Sequence, residues 1–278
     1  MLGSFSKQKK SQTGVQPLPG GKSKEGELAI MESRSKKIPF LGVGKGWLVV
    51  EKPAGISVHN EPGKDLCSLV SSFLRTNQEA AKIISVAPDY GIHPVHRLDQ
   101  DTSGLVLLAV DPETFHGLSR QFEMHQVKKS YTAILHGKLE KTDENQEWGQ
   151  WQWALAKTAG GRRNPQGSGD RQVSTTRYRI LEYSEHYTLV EIELMTGRKH
   201  QIRRHARLAG HPVVGDLRYG SARAAKYLHE NHKFDRLALH AYALSFTPPD
   251  SKTLKTIETM DRPKIMADLF TEDKKGTS

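Results

Sequence analysis

The sequence predicts an α+β fold in which flanking helices cover a mixed, largely antiparallel central sheet. Short apolar segments of strand character recur along the chain, and helical apolar patterns separate only some of them. The regular alternation of strand and helix that is typical of a parallel sheet is missing. With 278 residues the chain is long enough to bury a large core.

The first half of the predicted core begins with a strand at residues 47–50, which a turn at 52–55 ends. Asp65 is a candidate N-cap because an amphipathic helical stripe follows it. The stripe consists of Leu66, Leu69, Val70, Phe73 and Leu74. A buried strand is predicted at 104–110, and the Asp-Pro pair at 111–112 then starts a second helix.

The second half contains the remaining predicted strands and one helix. Strands are predicted at residues 130–135, 177–181, 187–194 and 237–246. Thr196 is expected to cap a helix that ends at Gly210. Residues 140–173 have an irregular pattern, which we interpret as strand remnants followed by a flexible basic loop. The segment 148–172 is either a substrate-contacting loop or a tolerated surface insertion.

One domain, at residues 38–267, is predicted between two tails. Residues 1–37 contain eight Lys or Arg against three Glu and few apolar residues, so half of the net charge lies there. Such a segment cannot bury enough apolar surface to offset its ordering entropy, and we expect a disordered basic tail. Residues 268–278 are predicted to form a flexible C-terminal tail.

The composition favours a polyanionic partner without establishing one. The formal net charge is +10, which attracts polyanions, although a merely basic soluble protein is the alternative. The single cysteine, Cys67, excludes an intramolecular disulfide and fits a reducing compartment. Apolar runs are far shorter than the ~20 residues of a membrane-spanning helix, and no secretory signal is visible. We therefore expect a cytoplasmic protein without a membrane partner.

The most informative polar segment is residues 96–105, His-Arg-Leu-Asp-Gln-Asp-Thr-Ser-Gly-Leu. It is a polar loop directly before an apolar strand, and rigid strands commonly present loop residues for catalysis. Asp99 is the candidate catalytic carboxylate in this loop. The alternative is that Asp-x-Thr-Ser-Gly only builds a turn.

Two further segments concentrate cations. Residues 196–207 carry five Lys or Arg, with Lys199, Arg203 and Arg207 predicted on one helical stripe. Because like charges at this spacing repel, a buried carboxylate or a nucleic-acid backbone is the expected partner; a solvated basic face is the alternative. In residues 128–131 two lysines precede Tyr131, which is either a packed ring or an aromatic face for base stacking.

Together these segments resemble the RluA-like branch of the pseudouridine synthases over roughly residues 45–250. The resemblance lies in six blocks in the family's order, at 51–55, 96–105, 129–131, 196–203, 211–220 and 236–241. Two positions depart from the family's pattern. Lys199 stands where a small hydroxyl residue is usual, and Arg204 stands where an apolar residue is common.

The resemblance implies a pseudouridine synthase fold with a catalytic cleft. It implies isomerisation of uridine to pseudouridine in structured RNA, either large-subunit rRNA or tRNA, without cofactor or metal; a monomer is the default expectation. Asp99 would be the essential carboxylate, acting as nucleophile or base. Arg203 would hold it ionised in a dry pocket. Tyr131 would stack on the flipped uracil, and its hydroxyl is a candidate for the later proton transfer.

Further residues are implied to bind the substrate. Arg97 is expected to fill the gap left by the flipped base or to bind phosphate. The other expected phosphate contacts, which position RNA without reading its sequence, are Lys129, Arg198, Lys199 and Arg207. Leu237 and Leu239 either wall the uracil pocket or only pack in the core.

Three other function classes remain open at this point. A carboxylate-dependent nucleoside glycosidase would need a second carboxylate, and Asp101 is the near neighbour. A non-catalytic RNA-binding or RNA-folding protein would keep the scaffold without the reaction. A metal enzyme could use His93 and His96, but neither a Cys cluster nor His-Glu-x-x-His is present in the sequence.

Overall fold

The computed structural model describes residues 29–33, 36–87, 89–140, 146–259 and 261–276. In this part of the chain eleven strands form one sheet, in the order β1-β2-β3-β5-β10-β6-β9-β8-β7, with β4 beside β5 and β11 beside β10. The strands are β1 (Ala29–Ser33), β2 (Lys36–Gly44), β3 (Trp47–Lys52), β4 (His93–Pro94), β5 (Ser103–Ala109), β6 (Lys128–His136), β7 (Gly149–Thr158), β8 (Ser168–Tyr183), β9 (Tyr187–Leu194), β10 (Leu239–Phe246) and β11 (Lys255–Glu258).

Six helices accompany the sheet in the described ranges. They are α1 (Leu66–Thr76), α2 (Gln78–Ile84), α3 (Pro112–Glu123), α4 (Gln201–Leu208), α5 (Ala222–His232) and α6 (Lys264–Lys275). The β5–β10 pair is parallel, whereas the other strand pairs of the sheet are antiparallel. The predicted α+β fold with a mixed, largely antiparallel sheet is confirmed.

The two faces of the sheet carry two separate hydrophobic clusters. Strand alternation explains the division, because Leu48 and Val50 enter the larger cluster while Trp47 and Val49 enter the smaller one. Buried residues of α1, α2, α4, α5 and α6 belong to the larger cluster. The smaller cluster is closed by Leu118 of α3 and Ile257 of β11.

Two of the three predicted helix starts are confirmed by their caps, whereas the third is wrong, because α4 begins at Gln201 and Thr196 does not cap it. The Asp65 side chain accepts a hydrogen bond from the Ser68 amide, and Asp111 accepts one from the Thr114 amide, both at 2.8 Å. Each cap satisfies an amide that the helix leaves without a partner, which contributes about 1 kcal/mol. Helix boundaries set by such local contacts can be predicted from sequence.

The structure corrects both predicted tails. Residues 29–33 and 36–37 belong to the β1–β2 hairpin, so the disordered tail does not extend to residue 37; residues 1–28 lie outside the described ranges. Main-chain hydrogen bonds can build such a pair without an apolar pattern. At the other end, Leu269 and Phe270 of α6 are buried in the larger cluster. The prediction of a flexible segment from residue 268 is therefore wrong as far as α6 extends.

Two local predictions are also wrong. The segment predicted to be irregular contains the long β7–β8 hairpin, whose mixed exposure hides the strand period. Helix α4 begins only at Gln201, because His200 has the left-handed φ of 55°. Lys199 therefore precedes the helix and does not share a helical stripe with Arg203 and Arg207.

None of the helices in the described ranges combines the length and the apolar character that crossing a bilayer requires.

Candidate active site

Asp99 lies in the loop that connects β4 to β5. Its side chain is 24% exposed, and its carbonyl accepts a hydrogen bond from the Thr102 amide at 3.1 Å. Gly104 follows on β5 with φ of +119°, and a Cβ atom there would lie 2.1 Å from the carbonyl oxygen of Ala241. The close approach of β5 and β10 thus requires glycine and fixes the end of the Asp99 loop against β10.

Arg203 of α4 faces this loop from the other side. Its Nη1 lies 3.5 Å from Oδ2 of Asp99 and 3.5 Å from Oδ2 of Asp101. The guanidinium is 4% exposed, whereas Asp101 is 57% exposed. The structure therefore brings together the carboxylate and the cation that the resemblance pairs.

Asp216 is the closer partner of Arg203, which sequence reasoning did not assign. Arg203 donates from Nε to Oδ2 of Asp216 at 2.7 Å and from Nη2 to Oδ1 at 2.8 Å. The amides of Arg218 and Tyr219 also donate to Asp216 Oδ1, each at 2.9 Å. The expectation that Arg203 is mainly the partner of Asp99 is therefore corrected. Two nitrogens of its guanidinium, Nε and Nη2, bind the carboxylate of Asp216, and the third, Nη1, faces Asp99 and Asp101.

The pKa values of this buried pair follow from its geometry. Burial acts to raise the pKa of Asp216, but the hydrogen bonds and charge of Arg203 hold it below the usual value. Burial likewise opposes the charge on Arg203, yet the hydrogen bonds and charge of Asp216, with the charges of Asp99 and Asp101, raise its pKa. Both groups are therefore ionised at neutral pH.

His200 and Tyr219 complete the polar wall beside Asp99. His200 Nε2 lies 3.7 Å from Oδ1 of Asp99, and its Nδ1 is 2.9 Å from the Tyr219 hydroxyl. Burial lowers the pKa of His200, and the nearby charges of Arg203 and Arg218 lower it further against the opposing effect of Asp99. His200 is therefore neutral at pH 7. The sequence signals for it were its position between cations and its place in the 196–203 block of the resemblance, although no role was assigned to it.

Tyr131, the predicted stacking residue, lies on β6 with a mostly buried ring. It is 5% exposed and shares the larger hydrophobic cluster with Leu237 and Leu239. Burial and the charge of Asp99 both raise the pKa of the Tyr131 phenol, so the phenol stays protonated. Leu237 and Leu239 are buried in the same hydrophobic cluster, which fits either of their predicted roles.

Lys52 binds the main chain of the Asp99 loop, a role that sequence reasoning did not assign to it. Its side chain is fully buried at 0% exposure. Its Nζ donates to the carbonyls of Pro53, Ile56 and Gln100 at 2.9–3.0 Å. Since Gln100 follows Asp99 directly, Lys52 fixes the Asp99 loop to the turn after β3.

A second support lies at the start of β5. The Ser103 hydroxyl is 2.8 Å from Nδ1 of His240 and accepts a hydrogen bond from Nη2 of Arg236 at 2.6 Å. Burial, with the charge of Arg236, lowers the pKa of His240 to about 3, so the ring is neutral at physiological pH. This contact couples the Asp99 loop to β10.

The other predicted substrate-binding cations differ in their exposure. Arg97, Arg198 and Lys199 are exposed. Lys129 is half-buried, with Nζ 5.4 Å from the centre of the Phe122 ring, and burial lowers its pKa. Arg207 is half-buried and donates from Nε to the Arg162 carbonyl at 3.3 Å, so part of its hydrogen-bonding capacity is used within the protein.

The two histidines considered as metal ligands have hydrogen-bond partners. His93 Nε2 is 2.8 Å from the Tyr90 carbonyl, and His96 Nε2 accepts from the Leu107 amide at 3.0 Å. Burial, with the charge of Lys129, lowers the pKa of His96 to about 3. Among the described residues no group of three His, Cys, Asp or Glu side chains is arranged to hold a metal ion.

Comparison with known proteins adds to this geometry. A family model described as RNA pseudouridylate synthase matches residues 46–208. An uncharacterized RNA pseudouridine synthase of Bacillus subtilis is 33% identical over 223 residues, which is 80% of this chain and 68% of that protein. Ribosomal large subunit pseudouridine synthase C of Yersinia pestis is 36% identical over 76% of this chain, which spans 62% of that protein. tRNA pseudouridine synthase C of Haemophilus ducreyi is 33% identical over 76% of this chain and 84% of its own length.

A solved structure shares the fold. Human RNA pseudouridylate synthase domain containing 1 superposes with a TM-score of 0.63 at 24% identity, covering 83% of this chain and 86% of the human chain. The range matched by the family model contains Asp99, Tyr131 and Arg203, whereas Asp216 lies beyond its end. The family model and the relatives indicate the same family, and the fold is consistent with it. The chain belongs to the RNA pseudouridylate synthase family.

Proposed function

We propose that this pseudouridine synthase acts on uridine in large-subunit ribosomal RNA or in tRNA, with Asp99 as the reacting carboxylate. The observation that carries the proposal is the Asp99 carboxylate 3.5 Å from the buried guanidinium of Arg203. The relatives support the substrate class, since one is named for the large ribosomal subunit and another for tRNA. The enzyme acts as a monomer in the cytoplasm and uses no cofactor.

The reaction exchanges one bond of the nucleoside for another. The bond from uracil N1 to ribose C1′ breaks, the base turns, C5 bonds to C1′, and the C5 proton is lost while N1 takes up a proton. Asp99 serves as nucleophile at the sugar or as base on the nucleoside, and either role requires the ionised form. Arg203, oriented by its two hydrogen bonds to Asp216, provides the positive charge next to it.

The target uridine must leave its stack before Asp99 can reach the glycosidic bond. Tyr131 is the ring beside Asp99 on which the extruded uracil stacks, a contact of about 1–3 kcal/mol. Its protonated phenol is the candidate group for the proton transfer from C5. Arg97, exposed on the same loop as Asp99, fills the gap in the RNA or contacts phosphate. Lys129, Arg198, Lys199 and Arg207 bind the backbone.

The test uses purified protein and transcripts of tRNA and of large-subunit rRNA that carry tritium at C5 of uridine. We expect tritium release without free uracil, because the base is reattached through C5. Free uracil in the reaction would identify a nucleoside glycosidase instead. Mapping pseudouridine in total RNA from a strain that lacks the gene then identifies the target position as the one whose signal disappears.

A further inference from the structure

The loop between β7 and β8, residues 159–167, is held to the protein by arginine side chains. Arg204 donates to four main-chain carbonyls, those of Ala156, Pro165, Gln166 and Lys199. Arg218 donates to the carbonyls of Gly160 at 2.9 Å and Ala159 at 2.8 Å. Arg171 and Arg207 add bonds to the carbonyls of Gly167 and Arg162. These bonds hold the 159–167 loop to the rest of the protein, although its residues 162–164 are exposed.

Arg204 is unusual because it is a fully buried cation without an acidic partner in the described ranges. Its side chain is 0% exposed, and no carboxylate there forms a salt bridge with it. Burial and the charges of Arg218 and Arg171 lower its pKa. The carbonyl dipoles offset part of the cost of burying the guanidinium, but they bring no negative charge.

The same region therefore keeps an excess of positive charge. Arg162 and Arg163 form an exposed turn at the tip of the 159–167 loop. Asp170, also exposed, is the acidic residue between Lys157 and Arg171 in this hairpin. Such a concentration of guanidinium groups attracts a polyanion.

A series of contacts connects the loop to the carboxylate of Asp99. Arg218 contacts both the loop and the Tyr219 ring, with its guanidinium carbon 5.8 Å from the ring centre. Tyr219 bonds His200, and His200 lies 3.7 Å from Asp99. One short series of contacts therefore joins the 159–167 loop to the site.

We infer that the 159–167 loop is a phosphate-binding surface for the RNA strand next to the target uridine, and that Arg204 is the positioning residue that fixes it. The inference rests on the proposed function for its ligand. Arg162 and Arg163 contact phosphates, whereas Arg204 acts only through the loop. A side chain with a Cβ at residue 167 is excluded, since φ is +76° and the Cβ would lie 2.1 Å from the Thr158 carbonyl.

The test compares three variants in binding to a fluorescently labelled tRNA transcript across a salt series. R162A/R163A removes the exposed charges, and R204M removes the bonds to the loop while retaining side-chain length. K82A/K264A is the matched control, because it removes two exposed cations from α2 and α6, far from the loop in the chain. Hydrogen exchange of residues 156–167 reports the order of the loop.

We expect R162A/R163A to weaken RNA binding roughly tenfold and to reduce the salt slope by roughly 1.5. R204M should also weaken RNA binding, and it should increase hydrogen exchange in the loop. The combined variant R162A/R163A/R204M should lose less binding free energy than the sum of the losses in the two separate variants. The kcat for tritium release at saturating RNA should stay within about twofold. K82A/K264A should bind as the wild type does.

Two results would overturn the inference. The first is an RNA affinity equal to that of the wild type in both R162A/R163A and R204M. An R204M protein whose 159–167 loop exchanges faster while its RNA affinity stays at the wild-type value counts as this result. The other is an equal loss in K82A/K264A, which would reduce the effect to net charge. Binding needs no turnover, so these results are distinct from failure of the proposed function, which is absence of tritium release from the wild type.

Discussion

Two adjacent arginines of α4 are buried almost equally and have opposite kinds of partner. Arg203, 4% exposed, lies among the carboxylates of Asp216, Asp99 and Asp101. Arg204, 0% exposed, lies among main-chain carbonyls. The first arrangement fixes a charge beside the carboxylate that we propose reacts, and the second leaves a positive surface that we infer binds RNA. The two arginines therefore differ in the chemistry of their partners and hardly at all in burial.

The largest effect on stability is expected from Asp216→Asn. The substitution removes the negative charge beside a guanidinium that stays buried, which costs about 3–5 kcal/mol. Denaturant unfolding measures the loss. The control is Asp101→Asn, which removes an exposed carboxylate at 3.5 Å and should cost less than about 1 kcal/mol. Similar losses of unfolding free energy in both variants would show that the two hydrogen bonds to Asp216 stabilise the fold no more than the exposed contact with Asp101 does.

The same contact predicts a pH dependence that the Arg204 region lacks. The pKa of Asp216 is lowered in the folded state, so its contribution is present above its unfolded value of about 3.9 and is lost as pH falls through the lower folded value. The stability difference between wild type and Asp216→Asn should therefore shrink only below about pH 4. Denaturant midpoints at pH 7, 5 and 3 measure it, and a difference that shrinks between pH 7 and 5 would contradict the assignment.

An intermediate effect is expected from Arg204→Met. The variant leaves carbonyls of the 159–167 loop without their donor, at a cost of about 1–3 kcal/mol, but it also removes an expensive buried charge. The stability difference from wild type should not change between pH 5 and pH 3, because carbonyl partners do not titrate. A pH-dependent difference there would mean that Arg204 depends on a carboxylate after all.

The smallest effect is expected from Tyr219→Phe, which tests the connection between the two regions. Tyr219 contacts the guanidinium groups of Arg203 and Arg218, at 5.4 and 5.8 Å from the ring centre, and its hydroxyl bonds His200. Removing the hydroxyl should cost about 1 kcal/mol of stability and leave the ring contacts intact. Unfolding and RNA affinity, measured together, should show the stability loss with unchanged binding.

Sequence reasoning succeeded where a local pattern carried the information. Asp65 and Asp111 were predictable as caps, because each bonds an amide three residues ahead. The proximity of Asp99 and Arg203 followed from the family motifs. The contact between Arg203 and Asp216 was not predicted. The two residues are thirteen positions apart, and only the tertiary fold brings their side chains together.

The missed features depend on tertiary contacts. The residues next to Lys52 in the sequence do not indicate that its side chain is buried. It is buried because the folded Asp99 loop and the turn after β3 surround its ammonium group with carbonyls. Arg204 was noted as a departure from the family's pattern, but its acceptors Ala156, Pro165 and Gln166 lie 38–48 residues earlier in the chain. The left-handed residue His200, which delays the start of α4, has no marker in the sequence.

The most direct test of the account compares Asp99→Asn with Asp101→Asn in the tritium-release assay. Both carboxylates lie 3.5 Å from the same nitrogen of Arg203, and they differ in exposure, 24% against 57%. We predict that Asp99→Asn lowers the rate by at least about 10²-fold with RNA affinity retained, while Asp101→Asn stays within about threefold of wild type. Full tritium release by Asp99→Asn, or an equal loss in both variants, would contradict the assignment of Asp99 as the reacting group.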